Sequence, residues 1–369
     1  MKHIISKSCA DAQAYIVPFR AGSHRGVSIT PEIDAAVDLA INGSFGGNLG
    51  ETYAMTLPVG NKLTSIILLG LGADKLSERD IHTKAAQAFK QAKQLGAKHV
   101  AVMLDQVSEL SESAELFGAL ARLPQLVGYT NSGLKSNPEN KSFEQVAFVT
   151  AADGLDAALS EAVATARGTV IARRLCNLRS NEQTPQSLAE DAAALGKEYG
   201  FDVQLFDKAA IEELGMESFL SVARGAHNTP PVLIVMRYLN GGDSPRIGLV
   251  GKGIVYDSGG YSIKTTPGMK NMFDDMGGAA GLIGAMTAVA DQKLKANVIG
   301  VIAACENKIA ADAYVPGDII GSMSGKTIEV ISADAEGRLT LADAVTYIQR
   351  KESCRFIADI ATLTGSAKT

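Results

Sequence analysis

The 369-residue chain lacks the patterns that several common kinds of functional site require. It has no tryptophan, and its four cysteines show no CxxC spacing, which argues against a disulfide framework or zinc knuckle and favours buried or free thiols in a reducing compartment. Its five histidines are dispersed and form no HExxH motif, so a histidine-ligated zinc hydrolase is disfavoured. These positions are Cys9, Cys176, Cys305 and Cys354, and His3, His24, His82, His99 and His227.

Segments suited to a membrane or to a polyanion are also lacking. No apolar run reaches the roughly 18 residues that a membrane span needs. The N-terminus shows no apolar segment followed by a small-residue cleavage site, so we expect a cytoplasmic protein. The formal net charge of -5 provides no basic face for phosphates, and nucleic-acid binding is therefore not expected.

Length and composition instead predict a two-domain α/β protein. A chain of 369 residues exceeds one ordinary core, and 46% hydrophobic residues with 37 glycines suit alternating strands and helices. We predict an N-terminal α/β domain without a catalytic cluster over residues 1–150, a linker helix over 151–175 and a second domain over 176–369. The strands of the second domain are near-continuous apolar runs, which predicts a mostly parallel sheet covered by helices on both faces.

Two blocks of charge interrupt the apolar, glycine-rich sequence of the second domain. Their charged positions are, in chain order, Lys252, Asp257, Lys264, Asp274, Asp275, Asp334, Glu336 and Arg338. An unpaired buried charge costs several kcal/mol or more, so acids beside buried strands need a counter-charge. Divalent metal ions would supply that charge.

The acids are expected to meet at one edge of the sheet. Asp257 follows a strand predicted to begin at Ile247 and end near Val250, and Glu336 follows a strand predicted to end at Ile331. Ligands collect at the carboxyl ends of parallel strands, and several carboxylates in one place are typical of paired divalent metals. Asp274 is interpreted as a helix cap, since acids favour the positive end of a helix.

The motifs in this region resemble the two-metal leucine aminopeptidase family. The matching stretches are RRLCNLRSNEQTP, VGKGIVYDSGGYSIK, MFDDMGGAAG, SADAEGRLTLADA and DIATLTG, which agree in residue type, order and spacing from about Ala172 to the last residue. The family usually has Asn-Thr where this chain has Ser332-Ala333. Family members continue well beyond the TLTG segment, so we expect this chain to lack the C-terminal end of the catalytic domain and of its substrate pocket.

The resemblance implies a role for each charged residue. The ligands of one metal would be Lys252, Asp257, Asp275 and Glu336, and those of the other would be Asp257, Asp334 and Glu336. Lys264 would steady the substrate carbonyl, and Arg338 would hold a bicarbonate ion that acts as general base. The residues bordering the substrate would be Met272, Thr362, Leu363 and Gly365, with Met272 in the pocket for the first side chain.

The function implied by the resemblance is a metal-dependent aminopeptidase that releases N-terminal amino acids from peptides, with a metal-bridging hydroxide as nucleophile. The implied cofactors are bicarbonate and two divalent ions per subunit, Mn²⁺ or Zn²⁺ with Mg²⁺ or Co²⁺ as alternatives. The implied assembly is a homohexamer, with the N-terminal domain in an oligomeric or regulatory role.

Two alternatives to this function remain open. Another two-metal hydrolase, such as a phosphatase, would favour Asp and His ligands and would not need Lys252. A nucleic-acid-binding regulatory member of the same family is the other.

Overall fold

The computed structural model of this protein describes residues 1–8, 12–23, 28–131, 136 and 142–365. The chain divides into two compact units, Met1–Ala166 and Arg167–Thr369, and helix α6 (Asp156–Asn177) crosses their boundary in the sequence. Cys9 and His24 lie outside the described residues. Among the described helices, none combines the length and the apolar character that crossing a membrane requires.

The first unit is built on a six-stranded sheet in the order β1-β6-β5-β2-β4-β3, in which only β3 is antiparallel to its neighbour. Its strands are β1 Lys2–Ser6, β2 Ala14–Phe19, β3 Thr52–Val59, β4 Lys62–Gly70, β5 His99–Met103 and β6 Gln145–Val149. Its helices are α1 Pro31–Gly43, α2 Glu78–Asp80, α3 Ala86–Gln94, α4 Glu109–Glu112 and α5 Ala114–Gly128, with a π-helical turn at Ile81–Ala85 and a 3-10 turn at Leu104–Gln106.

Strand β2 explains why this sheet is covered on both faces. All six of its residues are buried, and successive side chains enter different apolar clusters because a strand alternates its side chains between two faces. Ile16 packs with Phe89 and Phe117, whereas Val17 packs with Ile33 of α1. Such uninterrupted apolar strands are typical of parallel sheets between helical layers.

The second unit carries a five-stranded sheet in the order β13-β9-β10-β8-β7. Its strands are β7 Asp202–Phe206, β8 Val232–Leu239, β9 Arg246–Asp257, β10 Asn297–Asn307 and β13 Phe356–Ile360, and a separate pair is formed by β11 Ile319–Ile320 and β12 Ile328–Glu329. Its further helices are α7 Pro185–Tyr199, α8 Lys208–Glu213, α9 Glu217–Ala223, α10 Thr266–Met269, α11 Gly277–Asp291 and α12 Glu336–Glu352, with 3-10 turns at Met272–Asp274 and Ala333–Ala335.

Helices cover both faces of this second sheet. Strand β10 is buried along its whole length, and successive residues such as Val301 and Ile302 enter separate apolar clusters on opposite faces of the sheet. One cluster contains residues of α9 and α12, and the other contains residues of α7 and α11. The predicted two-domain α/β fold is therefore confirmed. The pairing is parallel across β13, β9 and β10, while β8 and β7 join antiparallel.

Two glycines let α11 approach the sheet closely. A Cβ atom at Gly251 would lie 2.8 Å from the carbonyl oxygen of Gly278, and one at Gly278 would lie 2.0 Å from the carbonyl oxygen of Ile360. Side chains at these positions would therefore push helix and strands apart. The close approach brings the start of α11, and Asp275 just before it, against β9.

Two predicted strands differ from the observed ones. Strand β9 does not end near Val250 but continues to Asp257, because it stays paired with the long buried strand β10. The strand predicted to end at Ile331 is only the two-residue β12, and Ile331 itself is 78% exposed, so no sheet buries it. Glu336 accordingly lies at the first position of α12 and does not follow a strand of the main sheet.

Candidate metal centre

Six of the predicted charged residues converge at the carboxyl end of β9. They are Lys252 and Asp257 on β9, Lys264 in the loop after it, Asp275 before α11, Asp334 in the 3-10 turn before α12, and Glu336 at the start of α12. Four of them are almost completely buried, with 2–4% of their surface exposed, and only Asp334 and Lys264 reach solvent.

Lys252 is the centre of one half of this cluster. Its Nζ lies 2.7 Å from Asp275 Oδ2 and 2.8 Å from Glu336 Oε1, and it donates a hydrogen bond to the carbonyl oxygen of Thr362. Burial lowers the pKa of Lys252, but its two acidic partners outweigh burial and leave the pKa above its usual value. Gly337 makes room for the lysine, since a Cβ there would lie 2.6 Å from Lys252 Cε.

Lys264 occupies the other half. Its Nζ lies 2.8 Å from Asp257 Oδ2 and 2.5 Å from Asp334 Oδ1. Burial lowers the pKa of Lys264, and the hydrogen bonds to these two carboxylates raise it by more. Gly259, at a φ of 86°, lies beside the pair, and a Cβ there would be 3.0 Å from Asp334 Oδ1.

The carboxylate oxygens of the cluster fit divalent cations. Asp257, Asp334 and Glu336 each offer one oxygen, and these atoms lie within 4.8 Å of one another. Glu336 Oε2 is buried without any hydrogen-bond partner, and Asp275 Oδ2 meets Lys252 at ion-pair distance but without hydrogen-bond geometry. Four acids face two lysines, so the cluster as a set of ionised groups is short of positive charge. Oxygen-rich donor sets of this kind suit hard divalent ions.

Burial also shifts the pKa of one acid of the cluster, Asp275. Burial raises the pKa of its carboxyl group to about 7, although the neighbouring Lys252 acts in the opposite direction. Thr362 Oγ1 donates to Asp275 Oδ1 at 2.7 Å. Thr362, which the resemblance assigns to the border of the substrate, is thus also a direct neighbour of the cluster.

Uncharged groups hold the turn that carries Asp334. The carbonyl oxygen of Ala333 accepts from Tyr314 Oη at 2.8 Å and from Asn307 Nδ2 at 2.9 Å, while Ser262 Oγ accepts from the N–H of Ala333. Ser332 Oγ accepts from the N–H of Asp334. The charged motifs do not point to Tyr314 or Ser262, and the only sequence signal for Asn307 is its position at the end of a buried strand.

The remaining predicted residues are not drawn into the cluster. Arg338 is exposed two positions after Glu336 on α12, and no described residue forms an ion pair or hydrogen bond with its side chain. Met272 is half-buried in the turn before Asp275, and Leu363 and Gly365 are exposed. Among the described residues, the group whose side chains could hold a metal ion consists of Asp257, Asp334 and Glu336 and contains no histidine.

Comparison with known proteins places the cluster within a family. The model of the cytosol aminopeptidase family catalytic domain matches residues 170–369, and that of the family's N-terminal domain matches residues 34–138. A protein of Clostridium perfringens named "Probable cytosol aminopeptidase" is 41% identical over 379 aligned positions, covering 99% of this chain and 75% of the relative. A protein of Fusobacterium nucleatum with the same name is 42% identical, covering 87% of this chain and 65% of the relative.

A solved structure agrees in fold as well. The bottromycin maturation enzyme BotP in complex with Mn superposes with a TM-score of 0.81 at 26% identity, covering 97% of this chain and 74% of that one. All six clustered charges lie in the segment matched by the catalytic-domain model. The chain therefore belongs to the cytosol aminopeptidase family.

Proposed function

We propose that this protein is a metal-dependent aminopeptidase that removes N-terminal residues from peptides and uses two divalent cations held by the clustered carboxylates. The observation that carries the proposal is a largely buried cluster of acids, in the segment that matches the family's catalytic domain, in which Glu336 Oε2 has no hydrogen-bond partner among the described residues. A relative in fold that is solved with Mn supports Mn²⁺ as the first ion to test.

The proposed ligand sets are those of the resemblance. Lys252, Asp257, Asp275 and Glu336 would hold one ion, and Asp257, Asp334 and Glu336 the other. The carboxylate oxygens of Asp257, Asp334 and Glu336, which lie within 4.8 Å of one another, support the second set, and the contacts of Lys252 with Asp275 and Glu336 support the first. Two bound cations would supply Lewis acidity and a water of lowered pKa. Lys252 would serve as a ligand only after losing its proton, which nearby dications and its burial would both favour.

Lys264 and Arg338 would act on the substrate side. Lys264 lies at the partly exposed edge of the cluster, so its ammonium would meet a peptide carbonyl oxygen and stabilise the negative charge that develops there. Arg338 is exposed and has no partner among the described residues, which leaves its planar fork of donors available for bicarbonate. A bicarbonate held by Arg338 would supply the general base. Met272, Thr362, Leu363 and Gly365 would border the peptide.

The division of labour along the chain is part of the proposal. Residues 176–369 would form the catalytic domain, joined by a linker helix at 151–175 to a non-catalytic domain at 1–150 with an oligomeric or regulatory role. We further propose a cytosolic homohexamer, on the strength of the family relationship; sedimentation analysis of the purified protein tests that assembly.

A substrate panel tests the activity. We expect the p-nitroanilides of leucine and arginine to be hydrolysed with added Mn²⁺ and not after treatment with EDTA. N-acetyl-leucine p-nitroanilide serves as the matched control, because an aminopeptidase requires a free α-amine. Turnover of p-nitrophenyl phosphate in place of the anilides would instead favour a phosphatase. Absence of any metal-dependent anilide hydrolysis contradicts the proposal.

A further inference from the structure

Asn307 lies buried at the end of β10, directly opposite Asp257, with none of its surface exposed. A β-bulge sets this pairing. Cys305 pairs with Ile254, but Glu306 pairs with Tyr256, so one residue of β9 is skipped. Without the bulge, Asn307 would face Tyr256. The irregularity therefore aligns an amide with one of the clustered acids, as bulges beside functional sites often do.

The amide of Asn307 joins two segments that both carry acids of the cluster. Its Nδ2 donates to Asp257 Oδ1 at 2.8 Å and to the carbonyl oxygen of Ala333 at 2.9 Å. Asp257 ends β9, and Ala333 immediately precedes Asp334. Both N–H groups of the amide are thus used, one for each segment. Rotating the amide by 180° would set Oδ1 against two acceptor oxygens, so the hydrogen bonds determine its orientation.

The backbone of Asn307 adds a third tie. Its carbonyl oxygen accepts from the N–H of Ser258 at 3.0 Å and from Ser258 Oγ at 2.7 Å, which fixes the chain just after Asp257. Gly260, at a φ of 57°, leaves the space that the amide needs, since a Cβ there would lie 2.9 Å from Asn307 Oδ1. Main chain and side chain of one residue therefore hold both segments, the end of β9 and the turn at Ala333.

We propose that Asn307 is a positioning residue that aligns the Asp257 carboxylate with the turn that carries Asp334 and leads into Glu336 before a cation binds. This inference rests on the proposed function, because it assumes that these carboxylates are metal ligands. Asparagine suits the position because it supplies two donors. Aspartate would place an acceptor against Asp257 Oδ1, and alanine would free both segments.

Asn297 at the other end of β10 provides a matched control. It is 95% buried, and its Nδ2 also donates two hydrogen bonds, in this case both to carbonyl oxygens, those of Gly242 and Ser244, at 2.9 and 2.8 Å. Removing either amide should lower the stability of the metal-free protein to a similar extent. Only the amide of Asn307 touches the clustered acids.

The test is a titration of the metal-free protein with Mn²⁺, in which binding is measured by calorimetry and by electron paramagnetic resonance. We expect Asn307→Asp and Asn307→Ala to weaken Mn²⁺ binding by about 10–100-fold, as loss of a group that orients a ligand typically does. Asn297→Asp and Asn297→Ala should leave the affinity unchanged. If the Asn307 variants do not fold, Ser262→Ala removes another tie to Ala333 and should weaken binding in the same direction.

Each outcome bears on the inference. Normal Mn²⁺ affinity in the folded Asn307 variants, or in Ser262→Ala where it takes their place, overturns it. Equal losses in the Asn307 and Asn297 variants also overturn it, because the amide would then act through general stability. Wild-type protein that binds no Mn²⁺ overturns the proposed function together with this inference, whereas normal wild-type binding with unaffected Asn307 variants overturns this inference alone.

Discussion

The two ends of β9 and α12 bury acids in opposite ways. At the start of β9 and the end of α12, Glu352 is 4% exposed and accepts from Arg237 Nε with both oxygens, at 3.1 Å each. Arg246 donates to the carbonyl oxygen of the same residue. The hydrogen bond with Glu352, opposed by burial, raises the pKa of Arg237. Two arginines thus lie at ion-pair distance from the one carboxylate that is buried at this end.

At the opposite end the balance is reversed. Glu336, at the first position of α12, has one oxygen beside Lys252 and one buried oxygen without a partner. The cations here are lysines, which are point charges and cannot saturate a carboxylate with a planar fork as arginine does. A structural ion pair uses every acceptor, whereas a site for another ligand leaves acceptors open. The contrast within one strand and one helix separates the two roles.

The largest predicted effect follows from removing Glu336, the acid with an oxygen that has no partner. We expect Glu336→Ala to lower kcat/KM for leucine p-nitroanilide by at least about 10³-fold, or about 4 kcal/mol, because a proposed ligand of both ions is lost. The Mn²⁺ affinity should fall with it, while the unfolding free energy of the metal-free protein changes less than in Glu352→Ala. Activity equal to wild type would contradict the assignment of the site.

Removing Glu352, whose two oxygens both accept hydrogen bonds, should lower the stability of the fold and leave metal binding unchanged. Glu352→Ala removes the buried carboxylate that accepts from Arg237 and lies 3.8 Å from Arg246 Nη1, and we expect the free energy of unfolding in urea to fall by about 3 kcal/mol. Glu352→Gln is the milder control. Mn²⁺ affinity should stay at the wild-type value in both. A loss of Mn²⁺ affinity comparable to that of Glu336→Ala would contradict the assignment of a purely structural role to Glu352.

The next largest effect is expected from Lys264, one of the two lysines in the charged cluster. Lys264→Ala should reduce kcat by about 10²-fold, or about 2.7 kcal/mol, by analogy with the loss of one donor to a developing oxyanion. Lys270→Ala, which removes an exposed lysine six positions further along, serves as control and should be neutral. Steady-state kinetics separate the possibilities. A change confined to KM would mean that Lys264 only binds the substrate.

The smallest effect concerns an acid in the middle of α12 that forms no ion pair with any described residue. Asp343 is fully buried and accepts from the N–H groups of Phe219 and Met323, and burial raises the pKa of its carboxyl group. A raised pKa in the folded state stabilises the fold at low pH, and this contribution is lost as the pH rises through that pKa. The difference in unfolding free energy between wild type and Asp343→Asn should therefore shrink from pH 4 to pH 7.

Urea denaturation of both proteins at several pH values measures this difference. The asparagine variant cannot titrate at this position and so supplies the baseline for the other carboxyl groups. A difference that stays constant or grows with pH would show that the buried carboxyl group of Asp343 has no raised pKa.

The chemistry of the site is easier to predict than its placement in the fold. Charge in apolar sequence is enough to single out Asp257 and Glu336, because burying such groups without partners is costly. It does not reveal that β9 continues to Asp257, since strand length depends on the pairing with β10. Nor does it reveal Tyr314, whose hydroxyl reaches Ala333 only through the fold. Long-range contacts of single neutral side chains leave no periodic signal in the sequence.

The close approach of Gly251 and Gly278 also has a consequence for how the sequence can vary. Neither glycine has a side chain that takes part in chemistry, yet any substitution places a Cβ within 2.8 Å of a carbonyl oxygen. In a saturation mutagenesis experiment both positions should tolerate almost no replacement, as strictly as the carboxylates themselves. Mutational intolerance would thus mark the empty spaces that allow the site to assemble as well as the groups that act in it.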